Sequence, residues 1–153
     1  MTNDPTVAII NRMPTRHVLG DAPAPQRERE DVGPADPPPG GELNAAVARA
    51  VVGIYRDVAG RGPTRARVFF RDEVLVVVLR DVLTTGERSM VRSGRADSAQ
   101  ATRDALQDVM QDALIAAVER ITGGKVEVLL SSSQAESGLA AQIFLLDHPV
   151  CAG

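Results

Sequence analysis

Residues 55–80 read YRDVAGRGPTRARVFFRDEVLVVVLR, and the fold is decided within them. A helix running into this stretch must stop at Gly60, because Gly62-Pro63 forbids continuation. Ala66–Arg71 then alternates, with Arg65, Arg67 and Arg71 on one side and Val68 and Phe70 opposite. Val74 to Leu79 is apolar at every position. The two runs are joined by Arg71-Asp72-Glu73, which reads as a hairpin. The unbroken apolar run marks the second strand as buried on both faces, and therefore central.

Working outward, Leu43, Val47, Ala50, Val51, Ile54 and Val58 recur at three- and four-residue steps and give the preceding helix one apolar face. Downstream, Thr84 and Glu87 have capping-box spacing for a short helix reaching Arg92, broken by Ser93-Gly94-Arg95. Asp97 with Gln100 predicts a second capped start. The helix it opens is long, with Leu106, Val109, Met110, Ala113, Leu114, Ala117, Val118 and Ile121 as its apolar stripe and Gly123-Gly124 as its stop. Val126–Leu130 and Leu139–Leu146 read as a second strand pair around a polar loop, Ser131–Gly138. The halves echo each other. Tyr55–Gly60 leading into Val68–Phe70 parallels Val118–Gly123 leading into Val126–Val128, and the strands close on Leu79-Arg80-Asp81 and Leu145-Leu146-Asp147. The expected fold class is therefore α+β: a pseudo-symmetric pair of αββ units forming a two-layer domain, with a four-stranded, mostly antiparallel sheet and helices on one face.

The 153 residues divide unevenly. Eight of ten prolines precede residue 40, and residues 1–42 carry four Arg against seven acids. Such a stretch cannot offset its ordering entropy by burial, so 1–42 is expected to be a disordered tail, with the domain over 43–148 and a short tail over 149–153. Residues 43–153 carry thirteen charges of each sign and form a neutral unit, unsuited to holding nucleic acid by bulk charge. Sixteen Arg stand against the single Lys125, a bias that reads as coding composition. Cys151 alone permits no internal disulfide, and no apolar run approaches the roughly 20 residues that span a bilayer. The start, Met-Thr-Asn-Asp-Pro with only Val7–Ile10 apolar, lacks the pattern of a signal peptide. A cytoplasmic protein without direct membrane insertion is expected.

Several stretches, in this order, resemble the MpsC-type family: Val52–Arg56 with Gly60-Arg61-Gly62-Pro63-Thr64, the hairpin Val68–Leu79, Leu83-Thr84 with Glu87-Arg88, Arg103, and Ile121-Thr122-Gly123-Gly124-Lys125-Val126. The resemblance covers about residues 43–147. This chain departs from the family pattern in having Arg61 where Lys is common, and in the extra Gly124. The resemblance implies a cytosolic component of a sodium-linked, membrane-potential-generating system associated with inorganic-carbon uptake. It supplies no catalytic motif.

The residues themselves support few sites. Arg61 and Thr64, in the turn Gly60–Pro63, read either as a helix stop or as an anion cradle. Arg103, on the polar side of the long helix, reads as one half of an ion pair with Glu87 or as a ligand contact. Tyr55 reads as core, with its hydroxyl at the rim. The cations from Arg65 to Arg95 read as a solvated face neutralised by Asp104, Asp108 and Asp112. His148 and Cys151 are two ligands at a chain end and make no metal site, and Ser131–Ser133 have no histidine as base. No catalytic residue and no cofactor is expected. The leading expectation is a non-enzymatic accessory or regulatory domain, homodimeric, with the long helix or an open sheet edge as interface, whose partner is a protein such as a membrane ion-translocating subunit. The alternative is a soluble homodimeric small-anion sensor, its site framed by the turns at Gly60–Thr64 and Gly123–Lys125 with Arg61, Thr64, Arg103 and Lys125 as ligands.

Overall fold

The computed structural model describes residues 41–150. The order is α1 (Gly41–Ala59), β1 (Arg65–Arg71), β2 (Val74–Arg80), α2 (Thr85–Arg92), α3 (Ala96–Thr122), β3 (Val126–Gln134) and β4 (Leu139–Leu146). The strands form one sheet in the order β1-β2-β4-β3, with every pairing antiparallel. It is an α+β fold of two αββ units, with α2 inserted between them. β2 and β4 meet at the centre, so the two hairpins are related by a pseudo-twofold axis through the sheet.

Why the helices take one face follows from the strand alternation. Val68 on β1, Leu75, Val77 and Leu79 on β2, Leu129 on β3, and Ala140, Phe144 and Leu146 on β4 are buried together with Val47 and Val51 of α1 and Met110, Leu114 and Val118 of α3. α1 lies over β1 and α3 over β3, with α2 against α3. Gly60 and Gly123 end α1 and α3 in the left-handed conformation, where a Cβ would be strained.

Five local expectations change. α1 begins at Gly41, so the first helical turn takes in two residues assigned to the tail; residues 1–40, the rest of that tail, lie outside the described residues. α3 starts after Arg95 with no side-chain cap: Asp97 caps nothing, and Gln100 instead reaches across to Ser133 O and the Ala135 N–H. The stripe of α3 is rotated from the one the apolar residues suggest. Val109 is 67% exposed and Ala113 is exposed, while Ala99, Arg103 and Gln107 face inward. β3 runs on through Ser131–Gln134, because Ser131 and Ser133 find polar partners under α3. The short C-terminal tail begins in contact, with the Val150 N–H donating to Asp72 O at 3.0 Å.

The echo between the strand ends is also one residue out of phase. Leu79 points to the helices, whereas Leu145 points away from them and Leu146 takes the inward place. The register shift between Val126 and Val128 absorbs a residue in the same half.

Candidate functional site

One end of the sheet gathers most of the motif residues. β1 enters there from the Gly60–Thr64 turn, and β2 leaves there toward α2. The Thr64 N–H donates to Arg80 O at 3.2 Å, and the Val82 N–H to Gly138 O at 3.1 Å, tying both loops to the sheet end. Asp81 sits between them with φ 59°, a left-handed conformation in a residue with a Cβ. That turn aims its carboxylate sideways at two guanidinium groups. Arg61 donates to Asp81 Oδ2 at 2.7 Å and Arg88 to Oδ1 at 2.7 Å. Arg61 also donates to Leu83 O at 2.6 Å. The Arg61 hydrogen bond outweighs the opposing effect of desolvation and, with the charges of Arg61 and Arg88 and the Thr64 side chain, holds the Asp81 carboxyl below its ordinary range.

Beneath this surface cluster lies a second pair. Glu87 and Arg103 are each only 2% exposed, with Arg103 Nε 2.6 Å from Glu87 Oε1 and Nη2 3.2 Å from Oε2. Glu87 is also the third residue of a complete capping box: the Thr84 N–H donates to Oε2 at 2.7 Å, and Thr84 Oγ1 accepts from the Glu87 N–H at 3.3 Å. Burial pushes the Glu87 carboxyl up, but the hydrogen bonds from Arg103 and Thr84 outweigh it, and the group ends below its ordinary value. A single carboxylate therefore caps α2 and clamps it to α3.

A third polar group occupies the middle of the helix–sheet interface. Gln142 Nε2 donates to the Tyr55 hydroxyl at 2.9 Å, and Gln107 Nε2 donates to Gln142 Oε1 at 3.1 Å. The Ser131 hydroxyl also donates to Gln142 Oε1. Tyr55 is fully buried, so its hydroxyl is in the core and not at the rim; burial raises its pKa. The network links α1, α3, β3 and β4.

The four residues expected to frame an anion do not converge. Arg61 and Thr64 lie in the Asp81 cluster and Arg103 lies below it. Arg103 is on the inward side of α3, not the polar side. Lys125 stands at the far end of α3, about 30 Å from Arg103 at 1.5 Å per residue. There its N–H donates to Asp147 Oδ1 at 2.9 Å, which lowers the Asp147 pKa, and His148 Nδ1 is 2.7 Å from the same oxygen. Pseudo-symmetry about an axis through the sheet explains the separation, since it sends the Gly60 turn and the Gly123 turn to opposite ends. Each turn is held by the aspartate that closes the opposite strand of its own unit. The guanidinium donors of Arg61 are committed to Asp81 and Leu83, and those of Arg103 to Glu87.

The arginine face is likewise placed differently. Arg65, Arg67 and Arg71 project from the side of the sheet without helices, so Asp104, Asp108 and Asp112 of α3 lie across the sheet from them. Among the described residues, ion pairs join none of these three acids to an arginine. Cys151 lies outside the described residues. What the sequence pattern leaves unmarked is the bridging part of Asp81 and the buried Gln107, Ser131 and Gln142. The recoverable signal is spacing: Ala99, Arg103, Gln107, Met110 and Leu114 repeat at three- and four-residue steps, and Gln142 alternates in phase with Ala140 and Phe144.

The fold and this end-of-sheet latch define a small two-layer α+β domain in which Arg61, Asp81, Glu87, Arg88 and Arg103 are tied up in ion pairs with one another. The chain belongs to the MpsC family. The family profile described as "Na+-translocating membrane potential-generating system (MpsC)" matches residues 40–148, which associates the chain with such a system. No curated protein and no solved structure matches it. Among the described residues, no helix is long and apolar enough to cross a membrane.

Proposed function

We propose that the chain is a non-enzymatic, cytosolic accessory subunit of a Na+-translocating, membrane-potential-generating system, acting by contact with a membrane partner that carries the ion. The observation that carries this reading is the commitment of Arg61, Glu87, Arg88 and Arg103 to ion pairs within the domain, on a chain of that family. Residues that hold loops and helices in place shape a surface for another protein. They do not leave an acid, a base or a nucleophile facing a cleft. Lacking a membrane-crossing helix among its described residues, the domain reaches the ion path through its partner.

The test is a strain lacking this chain, loaded with a voltage-sensitive dye and given a Na+ pulse. The Na+-dependent change in potential is expected to be lost, and to return when the chain is supplied in trans. An undiminished response in the deletion strain overturns the reading. So does turnover of a substrate by the purified chain alone.

A further inference from the structure

The sheet has a second face. Inward residues of each strand are covered by α1 and α3, and the alternate residues point away from both. Register lines these up in rows across the strands. Phe69, Val76, Ile143 and Leu130 form one row, and Val74, Leu145 and Val128 continue the next from Arg71. Phe69 is 53% exposed and Ile143 37%, the largest exposed hydrophobics on the strands. Arginines border this apolar field on one side only: Arg65, Arg67 and Arg71 along β1, with Arg80 beside Arg65. The opposite edge, β3, presents Ser132 and Gln134, with Glu127 at its bulge and Glu136 just past its end, against Lys125 before it.

We infer that this face is a homodimer interface, in which two sheets stack face to face with β1 of each copy over β3 of the other. Charge selects the arrangement. A two-fold axis across the strands would lay β1 on β1 and bring two sets of arginines together. An axis along the strands, midway between β2 and β4, lays each arginine edge over the neutral-to-acidic edge of the second copy and centres the Phe69–Val76–Ile143–Leu130 rows on each other. Stacked sheets pack about 10 Å apart and aligned to within about 30°, which such an axis permits. The area of the face bounds the strength of the contact. Four strands about 4.8 Å apart, seven residues long at about 3.3 Å each, give a flat footprint of about 440 Å² per copy. That is about half of the 800 Å² or so that each partner contributes to a standard interface, which suits a small, reversible contact of micromolar strength. The contact is isologous and closes at two copies.

The inference does not depend on the ion-transport reading, because it concerns self-association. The experiment is sedimentation equilibrium of the full chain from about 1 to about 200 μM, a range spanning micromolar affinities. The expected species has twice the 16.2 kDa chain mass. Phe69→Asp and Ile143→Asp should each raise the dissociation constant at least about tenfold, with far-UV circular dichroism unchanged. Phe69 is on an exposed edge strand, so at least one of the two variants will fold. Arg71→Glu should weaken the dimer, and adding Glu127→Arg to the same chain should restore it. A monomer throughout the range overturns the inference and gives the face to residues 1–40 or to a different protein. A dimer indifferent to both aspartate substitutions places the interface elsewhere and also overturns it. Failure of Glu127→Arg to rescue Arg71→Glu overturns the β1-over-β3 arrangement.

Discussion

Replacing Arg103 with methionine removes the cation from the buried pair and leaves the volume nearly filled. Glu87 would then stand 2% exposed, with only the Thr84 N–H and hydroxyl for company. Breaking a buried ion pair from one side costs about 3–5 kcal/mol, since the surviving charge loses its compensation. The remaining cap contact offsets part of this, so about 3 kcal/mol is expected, which at 4–8 °C per kcal/mol lowers the midpoint by roughly 15 °C. The pH dependence separates this mechanism from a simple packing defect. In the native protein the folded-state pKa of Glu87 lies below its unfolded value, so the pair's contribution is complete above the unfolded pKa and is lost as pH falls through the folded one. In Arg103→Met, desolvation acts with little opposition and raises the folded pKa above the unfolded one. The variant's deficit at about pH 7 should therefore shrink on acidification to about pH 4.5, because Glu87 of the variant takes up its proton in the fold at a higher pH than in the unfolded chain. Urea unfolding followed by circular dichroism at both pH values measures each quantity, and adding Glu87→Gln should recover at least about 2 kcal/mol as coupling energy. A deficit below about 1 kcal/mol at neutral pH, or one that stays constant on acidification, refutes the argument.

Asp81 holds two arginines from a left-handed backbone, so Asp81→Ala loses the bridges and keeps the strain, while Asp81→Gly loses the bridges and relieves it. The glycine variant should be more stable than the alanine variant by about 1 kcal/mol in thermal unfolding. Gln142→Leu strips partners from Tyr55, Gln107 and Ser131 at once and should cost about 2–3 kcal/mol in urea titration. Two glycines give opposite signs. Gly53→Ala, in α1 with open space around its Cβ, should stabilise by about 0.5–1 kcal/mol. Gly62→Ala, whose Cβ would lie 3.1 Å from Val52 Cγ1 and 3.2 Å from Val52 O, should lower the melting temperature.

The architecture was legible because its signals are local. Gly60 and Gly123 stop helices, the Thr84–Glu87 spacing caps one, and the alternation in Ala66–Arg71 and the largely apolar run Leu139–Leu146 mark strands. The polar interior was not legible for the complementary reason. Arg103 and Gln107 look like surface residues on a helix until a carboxylate 16 positions away and a glutamine 35 positions away are folded against them. Ser131–Ser133 read as loop because a hydroxyl in a strand is favourable only where a partner such as Gln142 waits for it. Pseudo-symmetry was visible in the echoing turns, yet the anion frame drawn from it required both turns at one end. Equivalent loops related by an axis through an antiparallel sheet must lie at opposite ends, and they do.

The run Val74–Leu79 predicts a strand buried on both faces, and the fold meets half of that expectation. Leu75, Val77 and Leu79 are sealed by α1 and α3, whereas Val74, Val76 and Val78 reach only partial burial through their neighbours in the sheet. A strand facing water on one side usually alternates apolar with polar, and β1 does so on the same sheet, with Arg65, Arg67 and Arg71 facing outward. The unbroken pattern of β2 is therefore not a general tolerance for exposed aliphatics in this chain. It is confined to the centre of the open face, where Val76 and Ile143 are register partners, and it gives way to arginine toward the β1 edge. A centre that is apolar and a rim that is charged is the anatomy of a protein interface. The residue pattern of β2 thus asks for a second layer on that face, and face-to-face stacking of two copies supplies it with the same kind of surface.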